Sequence, residues 1–260
     1  MYEQHFAVLG EWPELVIDDE LQVVDVVADL LDEWRHGVVV GDGPLAAVLD
    51  AVGHAACLDE ALYVLDAYWE ANIDLWGRYS RGEITRDYLI VERFRRPLCV
   101  SEGLRVKCEE SPSAFKDRCL QISDLFLEYC ASKPGLVDGA RHLMDYLRGK
   151  GYRLHMCSNG FHEVQYKKLA ACGLRDYFDT IILSEDAGVN KPSPLYFDYA
   201  LRVSGANRET TVMIGDNLQT DIIGAHDAGF DTILFNRWNV EPSDIPTHTV
   251  TTLQEITTIL

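Results

Sequence analysis

From about residue 150 onward, short apolar runs alternate with stretches of helical spacing. That is the pattern of βαβ units feeding a parallel sheet. Residues 152–157 read as a buried strand running into Ser158-Asn159-Gly160, and 161–172 as a helix stopped by Gly173. Residues 180–183 form the next expected strand, followed by a loop to Lys191-Pro192 and a helix over 194–203. A third strand over 211–214 ends at Gly215-Asp216 and leads into a short helix over 221–229. A fourth strand over 232–235, a short strand near 247–250 and a terminal helix complete the pattern.

Residues 60–132 follow a different rule. Trp69, Ile73, Leu75, Trp76 and Tyr79 recur at helical spacing, Gly82-Glu83-Ile84-Thr85 reads as a turn and helix start, and 88–96 continues as helix. Residues 115–129 form another amphipathic helix, and Lys133-Pro134-Gly135 reads as a linker. The expected organisation is an α/β core made of 1–60 and 133–260, with 61–132 as an all-helical insert. The aromatic positions of that insert (Tyr68, Trp69, Trp76, Tyr79) are expected to serve as core more than as ligand contacts.

Composition narrows the partners. The seven cysteines (57, 99, 108, 119, 130, 157, 172) include no Cys-x-x-Cys pair, which fits reduced thiols better than disulfides or zinc. No run approaches eighteen apolar residues, and no positive segment precedes an apolar stretch at Met1-Tyr2-Glu3, so the expectation is a cytoplasmic chain without a membrane span. A net charge of −19 repels nucleic acid and anionic membranes, and neither is expected as a partner. The acidity is uneven: residues 1–65 hold fourteen Asp and Glu against the one cation Arg35, a net of −13, and the first lysine is Lys107.

Three places carry candidate chemistry. Asp216 and Asp221, one at a strand end and one in a helix's first turn, can converge on a hard cation such as Mg²⁺, which takes one or two carboxylates and completes its shell with water and phosphate. The competing reading is that Asp216 only caps the following helix. Ser158, Asn159 and Gly160 offer a hydroxyl and backbone N–H groups at a helix start, an anion site or again a plain cap. Lys191, fixed before Pro192, is either a point charge for a phosphoryl oxygen or a solvated loop lysine. All three lie at carboxyl ends of expected strands, where open α/β sheets bind ligands.

The order and spacing Ser158, Lys191, Asp216, Asp221 resembles the second, third and fourth motifs of the haloacid dehalogenase-like (HAD) hydrolase superfamily. Ser184 through Gly188 to Lys191-Pro192-Ser193-Pro194 resembles the third-motif region of its phosphatases, and Gly215-Asp216 through Asp221 to Ala228-Gly229 the fourth. Within the insert, 72–76, Gly82-Glu83-Ile84-Thr85 and 93–98 are similar to the cap of the noncanonical pyrimidine nucleotidase branch. The resemblance implies a Rossmann-like HAD core with a helical cap, acting on a small phosphorylated metabolite such as a nucleoside 5′-monophosphate, as a monomer or homodimer. It implies Ser158 and Lys191 as catalytic residues holding the phosphoryl group, with Asn159 and Gly160 beside them as substrate-binding residues. It implies Mg²⁺ at Asp216, with Asp221 supporting the metal site or positioning Lys191.

One motif departs from this pattern. The family's nucleophile is the first Asp of an Asp-x-Asp motif on the central strand, and residues 1–60 contain none. Asp18, after Leu15-Val16-Ile17, is followed two residues on by Glu20 rather than Asp. The run 38–40 is a better strand and leads to Asp42-Gly43-Pro44-Leu45, but Val40 takes the nucleophile's place. Asp25 and Asp29 stand at helical spacing on what reads as a solvated face. The skewed charge of 1–65 is also what an upstream reading-frame error would leave, and an intact Asp-x-Asp in another frame of the source DNA would establish that. A non-catalytic phosphate- or nucleotide-binding module therefore stands beside the phosphatase, while a metal-free dehalogenase fits the Asp216/Asp221 pair poorly.

Overall fold

A computed structural model describes residues 14–18, 58–100, 111–132, 135–241 and 243–260. Their elements are β1 (Glu14–Asp18), α1 (Leu58–Ser80), α2 (Arg86–Val100), α3 (Pro112–Ser132), α4 (Ala140–Lys150), β2 (Arg153–Ser158), α5 (His162–Cys172) and β3 (Thr180–Leu183). They continue with α6 (Ser184–Ala187), α7 (Pro194–Ser204), β4 (Thr211–Gly215), α8 (Gly224–Asp227), β5 (Asp231–Phe235), β6 (His248–Val250) and α9 (Leu253–Ile259). A π-helical turn, Leu218–Ile223, leads into α8.

The strands form one six-stranded sheet in the order β3-β2-β1-β4-β5-β6, with every pairing parallel. β1 is the seam. It pairs with β2 on one side, Ile17 level with Met156 and Asp18 with Cys157, and with β4 on the other, Ile17 level with Ile214. Chain order reverses direction across β1, and in such sheets that crevice at the carboxyl ends is where ligands bind. The flanking strands are mainly apolar, as strands covered on both faces are: Leu154, Met156, Cys157, Ile182, Leu183, Met213, Ile214, Ile233 and Leu234 are all buried.

The chain divides into two compact units. Residues 14–18, 136–160 and 173–260 belong to the sheet unit; α1, α2, α3 and α5 belong to a helical unit that also takes in Phe161. The second unit has its own core. Tyr68, Val91, Phe94, Leu98, Phe115, Cys119 and Ile122 form one cluster, and Ala71, Leu75, Leu89, Ala131, Phe161 and Val164 another. Tyr68 is buried, and the half-buried Trp76 and Tyr79 rings meet Phe161 at 5.4 and 6.1 Å, so these aromatics pack as core. Among the described residues no helix is long and apolar enough to cross a membrane.

Within 150–260 the elements fall where hydrophobic spacing places them, with end shifts of a residue or two. One differs. The segment over 221–229 is a π-helical turn followed by one turn of α-helix, because Asn217 caps it early by accepting from the N–H groups of Gln219 and Thr220. Before that range α4 is an addition: it buries Leu143, Met144 and Leu147, one helical stripe in an otherwise polar stretch. It is bounded by Gly139 and Gly151, both left-handed, and the N–H of Gly151 closes on Leu147 and Arg148 carbonyls.

One buried group gives the sheet unit a pH dependence. His155, on β2 beside β1, is fully buried, and burial pushes its pKa down from 6.5 to about 4. The folded state therefore resists a proton that the unfolded chain takes up below pH 6.5. Stability from this group is complete above that pH and is lost progressively as pH falls toward 4. Between pH 7 and 5, urea unfolding should show wild type losing roughly 2 kcal/mol more than a His155→Gln variant. Parallel pH profiles would contradict this assignment.

Candidate active site

Ser158, Asn159, Lys191, Asp216 and Asp221 are all buried and stand at the carboxyl ends of β2 and β4 or in the loop after β3. Each is held by bonds that run between elements. Ser158 ends β2, and its N–H donates to the Tyr196 hydroxyl at 2.9 Å. That hydroxyl in turn donates to the Ile182 carbonyl of β3 at 2.7 Å, so one α7 side chain joins the ends of two strands. The Ser158 Oγ accepts from the Gly160 N–H at 2.7 Å, which folds the turn tightly after the strand.

Asn159 reaches across to the Lys191 loop. Its Oδ1 accepts from the Lys191 N–H at 2.8 Å and its Nδ2 donates to the Lys191 carbonyl at 3.0 Å. A single amide side chain thus holds both the N–H and the C=O of one residue. Lys191 is 1% exposed, which removes the solvated-loop reading. It donates to Asp221 Oδ1 at 2.8 Å and to the Cys157 carbonyl at 3.2 Å.

Asp221 is fully occupied. Its Oδ1 also accepts from Thr220 Oγ1 at 3.0 Å, and its Oδ2 from the Asn217 N–H at 3.1 Å. Two tight approaches fix this arrangement. A Cβ at Gly215 would lie 2.6 Å from the Asp221 Cβ, and one at Gly224 would lie 2.7 Å from the Pro192 Cβ, so both positions need the bare backbone. The Lys191–Pro192 peptide is cis.

Asp216 is different in kind. Asn217, not Asp216, supplies the helix cap, so the plain capping role does not account for it. Its Oδ2 accepts from the Trp238 indole N–H at 2.9 Å, while its Oδ1 is buried and has no hydrogen-bond partner. Burial, reinforced by the charge of Asp221, raises its pKa to about 6; the Trp238 bond and the charges of Arg237 and Lys191 pull the other way. A buried carboxylate that resists ionisation gains from an adjacent cation. The unpartnered oxygen therefore fits a hard divalent ion, and Mg²⁺ needs no more than one or two protein carboxylates. Among the described residues no group of three or more His, Cys, Asp or Glu gathers as a metal cage.

The model for haloacid dehalogenase-like hydrolases matches residues 15–229. The chain belongs to that family. It is 35% identical to pyrimidine 5′-nucleotidase YjjG of Escherichia coli over 196 residues, covering 74% of this chain and 80% of that protein. It is 30% identical to pyrimidine 5′-nucleotidase PynA of Streptococcus pneumoniae over 194 residues, covering 74% and 77%. The solved structure of the HAD-hydrolase YfnB from Bacillus subtilis, bound to magnesium, superposes with a TM-score of 0.74 at 26% identity, covering 96% of this chain and 99% of that one.

In this HAD-family chain, β1 places Asp18 level with Cys157, one residue short of Ser158, on the central strand. The other nucleophile candidates, Asp42 with Val40, and Asp25 with Asp29, lie outside the described residues, as does Glu20. Two residues of the network were not foreseen from sequence, Tyr196 and Trp238. Tyr196 reads as a core aromatic in a helix, and Trp238 as a loop residue 22 positions from the carboxylate it meets. Only the fold brings them in.

The Lys191–Asp221 pair gives a direct test of the packing. Removing one partner leaves a buried charge alone, so Lys191→Met or Asp221→Ala should each destabilise by about 3–5 kcal/mol in chemical unfolding. The double variant should lose less than the two single losses combined. Additive losses would show that the two groups do not act as a pair.

Proposed function

We propose that the protein is a Mg²⁺-dependent phosphomonoester hydrolase acting on nucleoside 5′-monophosphates, with Asp18 as nucleophile. The observation that carries this is the joint placement of buried Lys191, buried Ser158 and the open Oδ1 of Asp216 around the end of the strand that presents Asp18. The similarity to two pyrimidine 5′-nucleotidases supports the substrate class.

In this reading Lys191 meets a phosphoryl oxygen as a fixed ammonium, and Asp221 is the group that orients it. The Ser158 hydroxyl already accepts from Gly160 and keeps its own hydrogen for a second oxygen. Asn159 holds the Ser158 turn and the Lys191 loop in one geometry, so it acts by positioning. Asp216 would hold Mg²⁺ through Oδ1. When bound, that ion adds positive charge against the phosphoryl oxygens. An Asp18 oxygen then attacks phosphorus, the bond to the ester oxygen breaks, and the nucleoside leaves as an alcohol after taking a proton. Water hydrolyses the aspartyl-phosphate, releases phosphate and restores the carboxylate. The carboxyl two residues on, Glu20, is the proton carrier this scheme assigns.

One observation favours a second reading. The residue two places after Asp18 is Glu rather than the Asp of the family motif. A chain that keeps Ser158, Lys191 and Asp216 but cannot complete the transfer would bind nucleotide without turning it over.

Phosphate release from uridine and thymidine 5′-monophosphates, with and without Mg²⁺, separates the two. Turnover that requires Mg²⁺ and falls to background in Asp216→Ala and in Asp18→Asn is the expected result. Turnover untouched in Asp18→Asn overturns the nucleophile. Mg²⁺-dependent nucleotide binding with no phosphate release from folded wild type replaces the hydrolase by the binding module.

A further inference from the structure

The loop after β5 is built around one contact that the catalytic scheme does not use. Asn236 clamps it, accepting from the Val240 N–H at 2.8 Å and donating to the Val240 carbonyl at 3.0 Å. Asn239, at the tip, takes a left-handed backbone with φ 49°. Arg237 lies over the Trp238 ring at 4.9 Å and over Phe235 at 5.8 Å. Trp238 is nonetheless 45% exposed. An indole placed for packing buries its ring. Here much of the ring stays in solvent, while its single polar atom points to the buried Asp216.

We propose that Trp238 is a positioning residue for a divalent cation. By donating its indole N–H to Oδ2 of Asp216, it fixes the carboxylate so that Oδ1 faces the ion. A carboxylate has two equivalent oxygens and a broad terminal torsion, so an unheld Asp216 would present either oxygen over a range of angles. The indole is a donor only and cannot compete for the cation as a second ligand. It also favours the ionised form that a cation requires. Arg237, stacked on the ring, restrains the indole in turn. Partners of this type around a metal ligand commonly alter metal affinity by ten- to a hundredfold.

The inference rests on the reading of Asp216 as the Mg²⁺ ligand, and the experiment separates the two. Mg²⁺ is titrated into wild type, Trp238→Phe and Asp216→Asn, with affinity read by calorimetry and by the Mg²⁺-dependent rise in Tm; no substrate is present. The Phe variant keeps a ring for Arg237 and removes the donor. The expected result is a Kd for Mg²⁺ weakened roughly tenfold in Trp238→Phe, with the metal-free Tm within about 2 °C of wild type. Wild type that binds no Mg²⁺, or Asp216→Asn that binds it equally well, removes the metal reading itself. Wild type and Trp238→Phe of equal affinity, with Asp216→Asn impaired, overturns the role of Trp238 alone. Should the Phe variant fold poorly, Trp238→Tyr serves the same comparison, since its donor lies at a different point on the ring. Undiminished affinity there likewise sinks the proposal.

Discussion

Every backbone hydrogen bond between the two halves of the sheet passes through five residues. β2 and β4 do not pair with each other; each pairs with Glu14–Asp18. The site depends on that seam, because Ser158 ends one neighbour and Asp216 follows the other. The strand register sets their heights relative to Asp18, and a slip of one residue would turn each side chain to the opposite face. A chain whose first 65 residues are so acidic still supplies this strand, from the short apolar run 15–17. The core is closed at its centre.

Around the seam the network is made of bonds between groups distant in sequence. Asn159 joins a β2 turn to the Lys191 loop, Tyr196 joins the ends of β2 and β3, and Lys191 joins that loop to the turn after β4. The neutral ones are each weak, a typical one contributing about 1 kcal/mol net. Their value is geometric. The groups are buried where water cannot compete, so each position is determined by two or three others. The buried ammonium and carboxylate of Lys191 and Asp221 are tolerated because they pair with each other and each holds further hydrogen bonds.

Much of this was legible in the sequence, and the reasons are specific. The strands near 153–158, 180–183, 211–215 and 231–235 are apolar runs bounded by turn residues, a local signal. Ser158, Lys191, Asp216 and Asp221 stood out because each follows such a strand or opens the helix after it. α4 was legible too, since Ala140, Leu143, Met144 and Leu147 repeat at i, i+3, i+4 and i+7 between two glycines, but the pattern was passed over beside the linker at 133–135. Asp18 could not be separated from Asp42 by pattern, because a five-residue strand in an acidic stretch is as short as the noise around it; pairing with β2 and β4 shows that Glu14–Asp18 is a strand, while Asp42 lies outside the described residues. Trp238 and Tyr196 were invisible for another reason: a hydrogen bond across 22 or 38 positions leaves no trace in spacing.

The bonds that organise Ser158, Asn159, Lys191, Asp216 and Asp221 begin and end inside the sheet unit, while the helical unit keeps an aromatic core of its own. The two units can therefore change at different rates over evolution. A lineage carrying this architecture can vary the surface of one unit while the bonds inside the other stay fixed.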